Sequence, residues 1–245
     1  MGRNGMLGKQ ARTTVAALLA SLPALGQVPA ALLPSIAPSQ LSGSVRDETG
    51  IGVEAFVTIQ TQGLQQQGLT AADGTFQFAN LKTGKYIVCA KATERNAKPL
   101  DEPFVDSCLW HDGSTLQVAL LPGQNRTGVV VPLQHGSLLT VHVNDPAGQL
   151  AAPIGKIGGN DLSIQIKGAS SLIQHVPITA LAANSRDHAI AIPYGVPHQL
   201  IVHSSTFSLS DKNGLALATS QQPSLVAVRG GPPLSVVVNV GQRKP

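Results

Sequence analysis

The chain has 245 residues, of which 42% are hydrophobic and only 12% charged, with two cysteines and one tryptophan. Seventeen basic residues face 13 acidic ones, but Arg3, Lys9 and Arg12 lie in an N-terminal stretch built like a removable leader, and without them the count is 14 against 13. Such a balance excludes the concentrated basic stripe that phosphate tracking requires, so no nucleic-acid partner is expected. The charged fraction is about half the usual ~25%, and Gln, Ser and Thr are plentiful, which suits an exported β protein better than a cytosolic helical one.

Residues 1–26 combine a basic start, an apolar run from Thr13 through Leu25, and small residues at Ala24 and Gly26. This is a signal-peptide pattern; the run is broken by Pro23 and falls short of the roughly 20 residues a membrane span needs. Export is therefore expected, with cleavage near Gly26 and no membrane span after signal-peptide removal; the alternative is an uncleaved N-terminal anchor. Residues 27–40, with Pro29, Pro34 and Pro38 among small residues, read as a linker.

A first domain is expected over 41–135. Leu41, Gly43 and Val45 alternate with polar residues, Asp47-Glu48-Thr49-Gly50 makes a turn, and Val53 to Gln60 forms a β-branched strand with Gly63 to Thr70 as its hairpin partner. Asp73-Gly74 supplies a second turn. Phe76 and Phe78 then share one face, Gly84 opens the next strand, and Tyr86 and Val88 pack on that same face. Tyr86 reads as a corner residue whose hydroxyl bonds nearby backbone. Thr93 to Ser114 is a long irregular connection, of a length uncommon in compact domains unless functional or tied down. With Leu116 to Leu121 and Arg126 to Gln134 the count reaches about seven strands, enough for one two-sheet sandwich.

A second domain is expected over 136–241. Leu139, Val141 and Val143 alternate before the turn Asn144-Asp145-Pro146-Ala147-Gly148, and strands are expected at Leu162 to Lys167, Gln174 to Ala180, His188 to Pro193, Gln199 to Ser204, Thr206 to Ser210, Leu225 to Arg229 and Leu234 to Val240. The chain thus reads as all-β, two consecutive antiparallel β-sandwiches of transthyretin-like or Ig-like type. Asp47-x-x-Gly50 and Asp145-x-x-Gly148 end similar strands, and Asp211-Lys212-Asn213-Gly214 repeats the turn. Duplication and convergent turn chemistry explain the first pair equally well.

Residues 41–92 resemble the carboxypeptidase regulatory-like domain, through Gly43-x-Val45-x-Asp47-x-x-Gly50, Thr70-x-Ala72-Asp73-Gly74-x-Phe76-x-Phe78-x-x-Leu81 and Gly84-x-Tyr86-x-Val88. The resemblance implies a transthyretin-like sandwich related to carbohydrate-binding-like folds, used as scaffolding or recognition on exported proteins. It does not bring a peptidase with it, since the residues three after His111, His135 and His142 are Ser114, Leu138 and Asp145, none of them the Glu of a zinc-binding His-x-x-Glu pair.

In an exported protein a single pair of cysteines points to a bridge, here Cys89 to Cys108, with a buried Cys89 and an unpaired Cys108 as the alternative. The bridge would tie the long loop to the strand carrying Tyr86. Trp110, His111 and Asp112 in that loop are the candidate ligand contacts, because an indole stacks on sugar rings while neighbouring polar groups hold hydroxyls; the competing role for Trp110 is anchoring its own loop. His198 and His203 are five apart and so fall on opposite faces of one strand, and no metal or cofactor is expected. No Gly-x-Ser-x-Gly elbow or opposed carboxylate pair stands out. The expected function is an exported, non-enzymatic protein with a recognition or structural role, whose partner is carbohydrate or another exported protein. The alternatives are an accessory subunit and a hydrolase with a site assembled from distant residues.

Overall fold

A computed structural model of the chain describes residues 38–93, 102–110, 116–153, 155–156, 161–168, 173–217 and 223–245. The expected leader at 1–26, linker residues 27–37, and His111 and Asp112 lie outside them. Among the described residues no helix is long and apolar enough to cross a membrane.

Seven strands make the first sandwich: β1 (Ser39–Arg46), β2 (Ala55–Thr61), β3 (Leu64–Leu69), β4 (Thr75–Leu81), β5 (Gly84–Ala92), β6 (Gln117–Leu120) and β7 (Asn125–Pro132). They pair in the orders β4-β1-β7 and β3-β2-β5-β6. Between the two sheets lie Leu41, Val45, Val57, Ile59, Phe76, Phe78, Tyr86 and Val88, each supplied by the inward half of an alternating strand. Leu81 joins them because an irregularity at Asn80 (φ 57°) turns it inward, out of phase with Phe76 and Phe78. Tyr86 is buried, and its hydroxyl donates to the carbonyl of Lys82 at 2.8 Å, which pins the turn between β4 and β5.

The second sandwich holds β8 (Gly136–Asn144), β9 (Ser163–Lys167), β10 (Ile173–His175), β11 (Ile178–Ala182), β12 (Ser185–Pro193), β13 (Pro197–His203), β14 (Phe207–Ser210), β15 (Ser224–Val226) and β16 (Leu234–Arg243). Their orders are β11-β12-β8-β16-β14 and β10-β9-β13-β15. The expected strand from Gln174 to Ala180 is two strands in opposite sheets. The break falls at Pro177, which has no N–H to give a ladder, and there the chain crosses from one sheet to the other.

Without β11 and β14 the two strand orders coincide: β8, β9, β10, β12, β13, β15 and β16 occupy the places of β1 to β7. In each sandwich the first strand runs antiparallel to one neighbour and parallel to the last strand, β7 beside β1 and β16 beside β8, so each largely antiparallel sandwich contains one parallel pair. The Asp-x-x-Gly turns at Asp47 and Asp145 both follow that first strand. In the former, Asp47 Oδ1 accepts from the amides of Thr49 and Ile51 at 2.9 Å, and Gly50 takes a φ of 83° as its amide closes on the Asp47 carbonyl. Asp211 makes the same set of bonds after β14, a strand with no counterpart in the first sandwich. Turn chemistry alone therefore recurs without ancestry, and it is the shared strand order that favours duplication.

Candidate functional site at the sandwich junction

The connection from β5 to β6 forms an arm that reaches from the first sandwich into the second. Its single helical turn, α1 (Ser107–Trp110), starts at Asp106, whose carboxylate accepts from the Cys108 amide at 2.9 Å. The Ser107 hydroxyl accepts from the Ala90 amide at 2.8 Å and donates to the Ala90 carbonyl at 3.0 Å. This satisfies the stretch of β5 that β6 leaves uncovered. Cys108 is bonded to Cys89 on β5, forming the expected bridge. The arm is thus fixed to the first sandwich both covalently and by hydrogen bonds.

Its tip belongs to the second. Leu109 and Trp110 pack against the hydrophobic cluster of the second sandwich. The half-buried indole of Trp110 donates its N–H to the Ala191 carbonyl at 2.9 Å, and Gln174 donates to the Leu109 carbonyl at 3.0 Å. The indole meets the His198 imidazole edge-on, with centroids 4.9 Å apart and planes at 83°. Gly168 lies beside both rings; a Cβ there would stand 3.4 Å from the indole. His198 is 1% exposed and neither ring nitrogen has a hydrogen-bond partner among the described residues, whereas His203 on the same strand is exposed, as the five-residue spacing requires.

A second contact closes the junction. Residues 103–105 pair with the crossing between β7 and β8: Val105 donates to Gln134 and Gly136 donates to Pro103, both at 2.8 Å. There Glu48, from the first β1–β2 turn, accepts from the His135 amide at 3.0 Å, lies 2.8 Å from His135 Nδ1, and accepts from Arg229 at 3.2 Å. Arg229 also stacks over Tyr194, 5.1 Å from its ring centroid. Burial by itself would raise the Glu48 carboxyl, but hydrogen bonds from its own amide, from His135 and from Arg229 outweigh it and hold the group at about 2. The folded value lies below the unfolded one, so this contribution is present above about 4.5 and is lost as pH falls toward about 2. With its partial exposure it amounts to no more than about 1 kcal/mol. Glu48→Gln should flatten the loss of stability across that window in denaturant melts at stepped pH; an unchanged slope would show that the contact contributes nothing.

The sequence singled out Trp110 and the cysteines but not Glu48, His135, Tyr194, Arg229 or His198. Glu48 and Arg229 are 181 residues apart, and nothing local marks either one. The clue available was the length of the β5–β6 connection. Among the described residues no three His, Cys, Asp or Glu side chains gather as a metal-binding group. On the outer face of β3-β2-β5 there is also a hollow of about 600 Å³ lined by Phe56, Leu69, Gln67, Lys91, Glu54 and Thr93. Phe56 and Leu69 face each other across the ladder and are 41% and 56% exposed.

No protein-family model and no curated protein sequence matches the chain. The resemblance of residues 41–92 to the carboxypeptidase regulatory-like domain therefore stands on its motifs, while the β-sandwich it implies is present. Among solved structures, a streptococcal ancillary pilin is similar over 86% of this chain and 64% of its own, at 13% identity and a TM-score of 0.33. The Bacillus anthracis TIE protein is matched over 84% of this chain at 11% identity and a TM-score of 0.31, and the chain spans only 34% of its length. A DUF3823 family protein from Bacteroides ovatus is matched over 82% of this chain and 98% of its own, at 10% identity and a TM-score of 0.27. Likeness at this level assigns no ligand, partner or activity.

Proposed function

We propose that the chain is an exported, non-enzymatic structural component in which two sandwich domains, meeting near residues 135 and 136, act as one stiff unit. The observation that carries this reading is the seating of Trp110: an arm disulfide-bonded to the first sandwich places its indole in the second and bonds the Ala191 carbonyl there. Inter-domain contacts are mobile by default unless the contact is extensive. Here the Trp110 contact and the Glu48–His135–Arg229 contact lie on different segments, and two separate attachments oppose a hinge. Export is supported by the signal-peptide pattern at 1–26 and by the bridge, which persists only in oxidising surroundings. A rigid double sandwich suits a spacer or docking element at a cell surface or in a periplasm, where the partner is another exported protein.

A second reading is carbohydrate recognition, favoured by the exposed Phe56 and Leu69 beside the polar Gln67, Lys91 and Thr93. One set of NMR measurements separates the two readings. If the structural reading holds, a single alignment tensor fits the residual dipolar couplings of both sandwiches; two tensors of different magnitude would overturn it. Titration of the same sample with a glycan panel, with shifts confined to the Phe56 hollow, would instead establish recognition.

A further inference from the structure

Three features remained unexplained: the hollow at Phe56, the half-exposed His142–Asp187 pair on the outer face of β8 and β12, and His198 beneath Trp110. The first has no bound group to define an occupant beyond the reading already given. The second has no third ligating side chain beside it among the described residues. The third carries an inference.

We propose that His198 is an acid-sensitive latch for the arm, such that mild acid releases Trp110 from the second sandwich while the Glu48 contact holds, turning a rigid joint into a hinged one. His198 is sealed in the sandwich, neither ring nitrogen makes a hydrogen bond to the described residues, and the Trp110 ring stands across it at 83°. A neutral imidazole leaves its N–H unsatisfied there, and a cationic one has only the Val196 backbone nearby to set against desolvation. The cheapest way for an imidazolium to reach water is for Trp110 to leave. The arm is a single helical turn on a long connection, whereas β13 is held on both sides by β9 and β15.

The direction of the response follows from linkage. Desolvation pushes the His198 pKa below its ordinary 6.5, and the Val196 backbone, which pulls it more weakly upward without meeting hydrogen-bond geometry, does not offset this. The docked state is thus fully favoured above about 6.5 and loses ground as pH falls, because the released state takes up the proton more readily. The other charged or titratable groups on the elements around His198 are Asp106 at the head of α1, Lys167 at the end of β9, the inward-facing His188 and Arg186 and the outward Asp187 on β12, and the exposed His203 at the end of β13. Asp106 works in the opposite sense: burial raises its pKa, so protonation removes a buried charge from the docked arm. Arg186 is occupied by the Ala151 carbonyl. His188 Nδ1 lies 2.8 Å from the Val176 carbonyl, while its Nε2 has no partner among the described residues. Burial lowers its pKa in the same direction, which is why His188→Gln serves as a control. Glu48, held at about 2, stays ionised and paired with Arg229 throughout this range.

The inference rests on the docked arm proposed above, and one probe reads both. Trp110 is the sole tryptophan, so intrinsic emission reports on the arm alone. At neutral pH a blue, poorly quenched emission supports docking, and a solvent-like emission would sink the docked reading itself. On titration from about pH 7.5 to about pH 5, the emission should shift to the red and acrylamide quenching should rise, while far-UV circular dichroism stays constant. His198→Phe, which keeps a ring without a proton, should abolish both changes, with His198→Gln as a second variant should the first fail to fold. His188→Gln and His111→Gln should retain them. An emission that does not move with pH, a shift that persists in His198→Phe, or a shift removed by His111→Gln or His188→Gln overturns the proposal.

Discussion

Removal of the Cys89–Cys108 bridge is expected to lower unfolding stability by about 3 kcal/mol, the loop-closure value for a bridge spanning 19 residues. The loss reaches the second sandwich as well, because Cys108 directly precedes Leu109 and Trp110, which pack against its core. In Cys89→Ala/Cys108→Ser the arm keeps its Ser107 bonds to Ala90 and its Trp110 bond to Ala191, but each must then be made by a segment free to leave β5. Urea unfolding followed by emission of the single tryptophan should show a lower midpoint and an early red shift that precedes loss of β structure. Cys108 is exposed, so reductant added to the folded wild type should reproduce the result. A midpoint unchanged by either treatment would mean that the bonds of the arm suffice without the bridge.

The second large effect is expected at Gly43. An alanine Cβ there would stand 1.9 Å from the Val129 carbonyl oxygen and 2.9 Å from the ring of Phe76. The first of these is backbone, in the strand that runs parallel to β1, and it cannot rotate away. Either β7 separates from β1 or the core shifts around Phe76, and overpacking of this kind costs about 1–3 kcal/mol or more. Thermal melts of Gly43→Ala should show a clear drop. Gly68→Ala is the matched comparison, because its Cβ would meet only the Phe78 ring at an ordinary 3.4 Å and should cost far less. Equal melting points for the two variants would contradict the close approach of β1 and β7.

Gly43 shows where sequence reading reached and where it stopped. The alternation of Leu41, Gly43 and Val45 marked a strand correctly, and Gly43 belonged to a family-like motif. The reason a side chain is excluded there lies 86 residues away, in a parallel neighbour that no local pattern announces. Pro177 shows the converse: the apolar run across Gln174 to Ala180 looked like one strand, and a single residue without an N–H divides it between two sheets. Trp110 shows the same limit at the junction. A tethered aromatic in a long loop was visible from sequence, but the surface receiving it comes from β12 and β13 of the other sandwich.

The sequence by itself determined what depends on short-range chemistry. Period-two alternation set the β class and the core positions Phe76, Phe78, Tyr86 and Val88, and Asp-x-x-Gly set the turns, because pleat and turn geometry act over a few residues. The sole cysteine pair pointed to its own partner. Only the tertiary structure decided which strands lie side by side, that the two sandwiches share one order, and that the arm crosses from one to the other. Those choices depend on contacts between residues tens to hundreds of positions apart, such as Glu48 with Arg229, and the residue types at each end are common enough to leave no trace until the chain brings them together.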